Sequence, residues 1–274
     1  MKIISKEVIA EHAGLRIVRI CLIAPEISQK ALAGQFVVVM ASEKGERIPL
    51  TIVETDSHAG TITLIFQEAG LTTKILGALN VGDNLYALVG PLGRATQIKN
   101  CGKVILVAGG VGIAEILPVA RALKEAGNHI TTIIGAKTKE LLILEKKLNS
   151  FSDSLHVLTD DSSYGKRGFT TVVLEELLKK DKYDLVYSVG PIPMMRKASA
   201  ISQASGVKAV ASLNALMVDA TGMCGCCRVT VAGKIKFSCV DGPEFQADKV
   251  DWDELEKRNS MYIDKEKHIC KLKF

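Results

Sequence analysis

Residues 103–127 read KVILVAGGVGIAEILPVARALKEAG, and their pattern decides the fold of the middle of the chain. Lys103 to Ala108 is a largely apolar run, as in a strand buried on both faces. Gly109-Gly110-Val111-Gly112 follows at once. Helix-spaced apolar residues then run to Lys124-Glu125-Ala126 and stop at Gly127. Pro118 would suit the first turn of that helix. A glycine-rich turn between strand and helix lets backbone N–H groups approach a pyrophosphate. The match to G-x-G-x-x-G is incomplete, because Glu115 stands at the third glycine. Such a turn is either a dinucleotide site or a plain tight connection.

The pattern continues outward. Further strands are expected at Ile130 to Ile134, Leu155 to Leu158 and Leu185 to Val189, with helices at Glu140 to Leu148 and Thr170 to Lys180. Alternating strands and helices over residues 98–211 predict a doubly wound parallel sheet. No acidic residue ends the second strand to read a ribose hydroxyl. Lys137 and Lys139 lie there instead, able to neutralise a 2′-phosphate or simply to sit in a solvated loop. The third strand ends at Asp160-Asp161 and the fourth at Gly190-Pro191.

Residues 1–97 are different. Val8 to Ala10, Leu15 to Ile23, Phe36 to Met40, Thr61 to Phe66 and Leu85 to Val89 have strand composition, punctuated by Gly, Pro and Asp. They predict a small antiparallel barrel. Two segments interrupt it. Arg47-Ile48-Pro49-Leu50-Thr51 offers an arginine, a proline and a hydroxyl, or is a strand start with a solvent-facing arginine. Gly70 to Leu76 is a short helix that Thr72 or Thr73 can cap, leaving N–H groups free for phosphate or merely plugging the barrel end.

Residues 212–274 carry the cysteines. DATGMCGCCRVTVAGKIKFSC, residues 219–239, spaces Asp219, Cys224, Cys227 and Cys239 as D-x4-C-x2-C-x11-C. This copies the plant-type [2Fe–2S] spacing with aspartate at the first ligand position. Cys226 and Cys227 are neighbours, so their side chains diverge and one of them is the ligand. In the alternative, Asp219 caps the loop and Cys226 completes four thiolates. A structural zinc knot is the other reading, although only Cys224 and Cys227 form a C-x2-C pair. A hairpin from Val229 to Phe237, turning at Ala-Gly, returns Cys239 to the loop. Val250 to Arg258 reads as an amphipathic helix.

Composition narrows the function classes. The 274 residues are 47% hydrophobic and 24% charged, with a formal net charge of +5 and no basic run, so no nucleic-acid partner is expected. No apolar stretch reaches about 18 residues and no signal-like segment precedes the first strand, so a cytoplasmic location without membrane attachment is expected. In a reducing compartment a cysteine cluster means metal or redox chemistry. Cys21, Cys101 and Cys270 are expected to be ordinary thiols, and the lysines of residues 265–273 a solvated tail.

These motifs resemble the ferredoxin–NADP reductase superfamily. Arg47, Pro49, Leu50 and Thr51 match its R-x-P-L-[ST] flavin motif; Leu50 stands where the general motif has tyrosine and removes an aromatic from the flavin face. Gly70 and Thr73 are similar to its flavin-pyrophosphate G-x-x-T. Ala108 to Ala114 looks like its nicotinamide loop, with Glu115 replacing a proline, and Gly190 to Met195 like its G-P-x-x-M-M turn. Across nearly the whole length the chain resembles one branch. That branch holds dihydroorotate dehydrogenase electron-transfer subunits and the small subunits of NADH-dependent ferredoxin:NADP oxidoreductase, the sulfide dehydrogenase type. Cys224 to Val229 and Cys239 to Phe245 resemble the latter, since the dihydroorotate subunits carry cysteine at the position of Asp219.

The resemblance implies an α/β plus β-barrel chain in three parts. These are an FAD-binding antiparallel barrel (1–97), an NAD(P)-binding doubly wound domain (98–211) and a small C-terminal [2Fe–2S] domain (212–274). It implies cofactor contacts at Arg47, Pro49, Leu50, Thr51, Phe66, Gln67, Gly70, Thr72 and Thr73. Others are implied at Gly109, Gly110, Val111, Gly112, Ile113, Asp160, Asp161, Gly190, Pro191 and Met194. The cluster ligands are Asp219, Cys224, Cys227 and Cys239. Glu115 is expected to face away from the anionic cofactor. Electrons would pass between NADH or NADPH, flavin and cluster, on to a larger iron–sulfur flavoprotein in a heterodimer, and indirectly to ferredoxin by bifurcation. A dihydroorotate-type subunit, a stand-alone reductase and a zinc-stapled binding module are the alternatives.

Overall fold

The structure is a computed structural model that describes residues 1–271. The side chain of Cys270 and the end of the lysine-bearing tail, residues 272–274, lie outside the described residues. The N-terminal part is a six-stranded antiparallel sheet of β1 (Ile3–His12), β2 (Leu15–Ile23), β3 (Phe36–Met40), β4 (Arg47–Asp56), β5 (Thr61–Gln67) and β6 (Ala87–Leu92). The order is β1-β2-β5-β4-β3-β6. Alternate residues of β2 and β5, among them Val18, Ile20, Leu22, Ile62, Leu64 and Phe66, turn inward onto Val37 and Val39. Helix α1 (Pro25–Ser28) and helix α2 (Leu71–Ala78) close the ends, and Leu76 of α2 is fully buried in the same core. The expected barrel is therefore present as a curled sheet without a closed ladder among the described residues. The two edges meet through one bridge, Lys2 with Asn84, and through the Leu85 N–H donating to Met1 O at 2.9 Å.

The central part runs β7 (Lys103–Gly109), α3 (Gly112–Glu125), β8 (His129–Ala136), α4 (Glu145–Ser150), β9 (Ser154–Thr159) and β10 (Lys166–Arg167). It continues through α5 (Thr170–Lys180), β11 (Leu185–Val189), α6 (Ile192–Ala204) and β12 (Lys208–Ser212). The strands are parallel, in the order β10-β9-β8-β7-β11-β12. Strand β7 explains its own composition. Val104, Leu106 and Ala108 enter the core under α3, while Ile105 and Val107 enter the core with residues of α5 and α6. A strand sandwiched this way has no wet face.

Two expectations are corrected here. Pro118 is not in the first turn of α3, since the helix starts at Gly112 and carries Pro118 as its seventh residue. Only a glycine permits that early start: a Cβ on Gly112 would lie 2.7 Å from Val189 O. The helix expected over Glu140 to Leu148 is split into a single 3₁₀ turn, Lys139–Leu141, and α4. Between them Leu144 adopts φ 57°, and this break lets Leu141, Ile143 and Leu148 all reach one core.

The C-terminal part pairs β13 (Arg228–Val231) with β14 (Lys234–Phe237) through Ala232 and Gly233, at φ 50° and 73°. Those left-handed values are what a two-residue I′ hairpin requires. Helix α7 (Ser238–Asp241) follows, then β15 (Glu244–Gln246), α8 (Trp252–Asn259) and α9 (Ile263–Lys271). Strand β15 joins the parallel sheet antiparallel to β12 as its seventh strand. Cys227, Cys239, Val229 and Leu255 share a core with Ile105 and Val107 of β7. The cysteine-bearing segment is thus built onto the nucleotide-type sheet. Among the described residues no helix is long and apolar enough to cross a membrane.

Candidate functional site

The sheet order reverses between β7 and β11: from β7 the chain moves outward through β8 to β10, and from β11 outward through β12. In such sheets ligands bind in the crevice at the carboxyl ends of the two strands that flank the reversal. Gly109-Gly110 and Val189-Gly190 are those ends here. A cavity of about 520 Å³ opens over them, lined by Leu15, Ile17 and Gln67 from the barrel sheet and by Gly135, Asp160, Thr170, Met194 and Lys197 among others. A second cavity of about 190 Å³ adjoins it, lined by Gln67, Gly109 to Gly112, Glu115, Val189 to Pro191, Ser212 and Asn214.

Beside Gly112, Gly110 and Gly190 also call for glycine. Gly110 sits at φ 58° with open space where a Cβ would project. Gly190 sits at φ 146°, and a Cβ there would lie 3.0 Å from the Gly109 backbone. The two turns are therefore close-packed on each other, and the face of Gly110 stays bare. Val111 precedes α3. The Gly110 N–H donates to Gly135 O at 3.0 Å, and those of Ile113 and Ala114 donate to the carbonyls of Gly110 and Val111. This leaves Val111 and Gly112 as the donors at the helix start, while Ile113 is fully buried beneath.

Glu115 does not face away. Placed in the first turn of α3, it lines the smaller cavity, and burial pushes its carboxyl up to about 7. The expectation fails because the helix begins three residues before Glu115. The side chain therefore sits above the strand ends instead of along the exposed helix flank. Of the two lysines, Lys137 lines the larger cavity, whereas Lys139 lies 5.4 Å from the centre of the Tyr164 ring. Asp160 lines that cavity, while Asp161 accepts hydrogen bonds from Ser163 and is exposed.

The barrel-side candidates occupy β4, β5 and α2. Arg47 opens β4 and is exposed; Pro49, Leu50 and Thr51 follow, half-buried. Phe66 is buried in the barrel core, which leaves only its backbone for an outside contact. Gly70 precedes α2, and Thr73 rather than Thr72 ties the start: the Gly70 N–H donates to Thr73 Oγ1 and Thr73 Oγ1 donates to Gly70 O, each at 3.0 Å. Thr72 donates to Glu46 instead. The first-turn N–H groups of α2 and the Arg47 guanidinium form an edge with the donors that a pyrophosphate takes.

The cysteine loop curls through Ala220, Gly222 and Gly225, at φ 61°, 87° and 64°. Cys227 and Cys239 Sγ face each other at 3.2 Å, both buried and both free thiols. Cys224 is exposed and its Sγ accepts the Cys226 N–H at 3.5 Å. Cys226 is held by its backbone, its carbonyl accepting from Arg258 at 2.9 Å. Asp219 accepts hydrogen bonds from the Thr221 N–H and hydroxyl, the main cause that keeps its carboxyl below the ordinary range. Its other oxygen pairs with Arg47 Nη1 at 3.3 Å. So Asp219 acts as a loop cap here and also reaches the flavin-type motif, 172 residues away in sequence.

Among the described residues no three His, Cys, Asp or Glu side chains converge on a single metal ion. A binuclear [2Fe–2S] group does not ask for that, since each iron takes two protein ligands. The paired thiols of Cys227 and Cys239, with Cys224 and Asp219 on the adjoining turn, suit such a group better than a tetrahedral zinc knot. Sequence reasoning missed Ser212 and Asn214 of the smaller cavity and Leu15 and Ile17 of the larger. The last two lie in a run whose only signal was strand alternation.

The fold and these sites define a class: a ferredoxin–NADP-reductase-like NAD(P)H-dependent oxidoreductase subunit. Residues 106–200 match the oxidoreductase NAD-binding domain, and residues 214–251 the iron–sulfur cluster binding domain of dihydroorotate dehydrogenase B. A Thermotoga maritima homologue of the dihydroorotate dehydrogenase B (NAD(+)) electron transfer subunit is 48% identical, over 89% of this chain and 86% of its own. A solved structure described as giving insights into flavin-based electron bifurcation, that of an NADH-dependent reduced ferredoxin-NADP oxidoreductase, is 46% identical. It superposes with a TM-score of 0.91 over 97% of this chain and 95% of the other. Ferredoxin-NADP+ reductase from Plasmodium falciparum, 15% identical, shares the fold with a TM-score of 0.58 over 74% and 88%. The chain belongs to the family of dihydroorotate dehydrogenase B-type electron-transfer subunits and their homologues. FAD, a [2Fe–2S] cluster and NAD(H) are the cofactors that its fold and domains support.

Proposed function

We propose that the chain is the NADH-oxidising, electron-transfer subunit of an electron-bifurcating NADH-dependent ferredoxin:NADP oxidoreductase. Its three parts are the FAD-binding region 1–97, the NAD(P)-binding region 98–211 and the [2Fe–2S] region 212–274. The single observation that carries this reading is the Arg47–Asp219 ion pair at 3.3 Å. It sets the flavin motif against the cluster loop, while Gln67 of the same sheet lines the glycine crevice.

A nicotinamide gives up two electrons as hydride and a [2Fe–2S] cluster takes one at a time, and a flavin between them converts the one into the other. The chain's residues position these partners. Val111 and Gly112, at the start of α3, bring backbone N–H groups to the dinucleotide, and the bare faces of Gly109, Gly110 and Gly190-Pro191 let it approach. Asp160 and Lys137 line the larger cavity. Arg47, Thr51 and the start of α2 at Gly70 to Thr73 hold the flavin pyrophosphate. Asp219, Cys224, Cys227 and Cys239 hold the cluster, with Cys226 outside the ligand set. Arg47 would offer its guanidinium to the pyrophosphate and Asp219 its carboxylate to the cluster, and their ion pair keeps the two motifs side by side.

The partner is a larger iron–sulfur flavoprotein, with ferredoxin served indirectly, and the complex is cytoplasmic. The 46% identity to the bifurcating oxidoreductase over nearly both full chains supports this partner. A second reading, an electron-transfer subunit serving dihydroorotate dehydrogenase, is favoured by the domain matched at residues 214–251. Affinity purification of the chain from its own cells separates them: the subunit that co-purifies either oxidises NADPH or oxidises dihydroorotate.

The flavin assignment has its own test. Arg47→Ala removes a charged donor to the pyrophosphate, worth about 10- to 100-fold in flavin affinity. Because Arg47 is exposed at the strand start, the chain should keep its thermal transition. Unchanged flavin affinity in that variant would refute the assignment.

A further inference from the structure

The smaller cavity holds one ionisable side chain, and it is an acid without an ion-pair partner among the described residues. Glu115 projects from the first turn of α3 beside Gly110, Gly190, Ser212 and Asn214. This pocket lies at the reversal of strand order, where Gln67 of the barrel sheet meets the glycine turns. Given the functional reading above, the nicotinamide ring must come here, since hydride transfer requires it to face the flavin on the barrel side. The adenosine end then extends into the larger cavity, towards Lys137 and Asp160.

A nicotinamide ring changes charge when it gives up hydride. The reduced ring is neutral and the oxidised ring is a cation. We propose that Glu115 reads that charge: it is a discriminating residue that binds NADH as the neutral acid and NAD+ as the carboxylate. Binding of NAD+ to the acid form releases the carboxyl proton to solvent.

The surroundings permit both forms. On β11, Tyr187 is buried and feels the charge of Glu115, and its hydroxyl donates to Glu244 Oε1 of β15 at 2.7 Å. Glu244 also accepts from Thr96 and is itself pushed up by burial. From β4, Glu54 is neutralised by Lys147 of α4 at 2.7 Å. The cations Lys137 and Lys197 line the larger cavity rather than the smaller one. Burial alone sets the balance in the free protein, with the carboxyl pushed up to about 7. A pyridinium cation beside it favours the carboxylate and lowers that value.

The sign follows from linkage. NAD+ affinity should rise with pH between the lowered, bound value and about 7, then level off. A shift of about one unit gives a tenfold rise. The neutral-ring analogue 1,4,5,6-tetrahydro-NADH should show no rise, or a fall.

Isothermal titration calorimetry on the flavin-loaded chain, at pH 5.5 to 8.5, tests this with NAD+ and the non-reducing analogue. The expected result is an NAD+-to-analogue affinity ratio that climbs about tenfold with pH in the wild type and stays flat in Glu115→Gln. Titrations of the wild type in buffers of different ionisation enthalpy should report proton release on NAD+ binding near pH 6.5, whatever the variant does. A pH-independent ratio, or zero proton release, overturns the proposal while leaving the dinucleotide site in place. Failure of both ligands to bind overturns the site reading and the proposal together.

Discussion

Replacing Gly110 with valine should abolish flavin reduction by NADH while dithionite still bleaches the flavin. Gly110 adopts φ 58° and a Cβ at this position would enter open space at the mouth of the crevice. A branched side chain there occupies the volume a pyrophosphate needs and keeps backbone N–H groups from closing on it. The left-handed conformation costs valine roughly 1–3 kcal/mol, a strain the fold must absorb. Retained flavin absorbance and a cooperative thermal transition separate that strain from the block. We expect the rate of NADH-driven bleaching in stopped flow to fall by more than ~100-fold, the loss of several charge-assisted hydrogen bonds. Gly110→Asn, which tolerates left-handed φ but also fills the crevice, should show a similar rate loss with less strain. Unchanged bleaching in both variants would remove the crevice from the dinucleotide path.

The second large effect concerns the cluster. Cys227→Ser and Asp219→Ala should each lose or destabilise the [2Fe–2S] group, whereas Cys226→Ser should leave its spectrum intact. The geometry separates the adjacent cysteines. Cys227 is buried with its sulfur 3.2 Å from that of Cys239, and Cys226 is anchored through its carbonyl to Arg258. Asp219→Cys should retain the cluster with shifted absorption and potential, because thiolate binds iron more covalently than carboxylate. Iron analysis should find about two irons per chain in wild type and Cys226→Ser, and near zero in Cys227→Ser. Loss of iron in Cys226→Ser together with full retention in Asp219→Ala would instead make the site all-cysteine, with Asp219 as the loop cap that its bonds to Thr221 describe.

Much of this fold is legible in the amino-acid sequence. Strand β11 and helix α5 fall on the expected residues, Leu185–Val189 and Thr170–Lys180, because each has one strong period and a clear stop. The hairpin at Ala232-Gly233 was legible from its turn residues. What escaped was decided by packing between distant segments. The three residues of β15 are too few to carry a period, and they form a strand only because β12 offers an edge. Pro118 suggested a later helix start, but the close approach of Gly112 to Val189 lets α3 begin at once. Glu115 was expected outside because an acid near phosphates is unfavourable. Its place in the cavity became readable only when the start of α3 was fixed. The Arg47–Asp219 pair spans the barrel sheet and the cysteine loop, a contact that no local pattern encodes.

The central claim is a path for electrons from NADH through a flavin on the barrel sheet to a cluster on the cysteine loop. The most direct test is anaerobic titration of the purified, cofactor-loaded chain with NADH, followed by visible absorption and by electron paramagnetic resonance. The account predicts flavin bleaching at substoichiometric NADH and the signal of a reduced [2Fe–2S] cluster appearing in the same titration. A colourless, zinc-containing chain, or one whose flavin and cluster both stay oxidised under excess NADH, would contradict it.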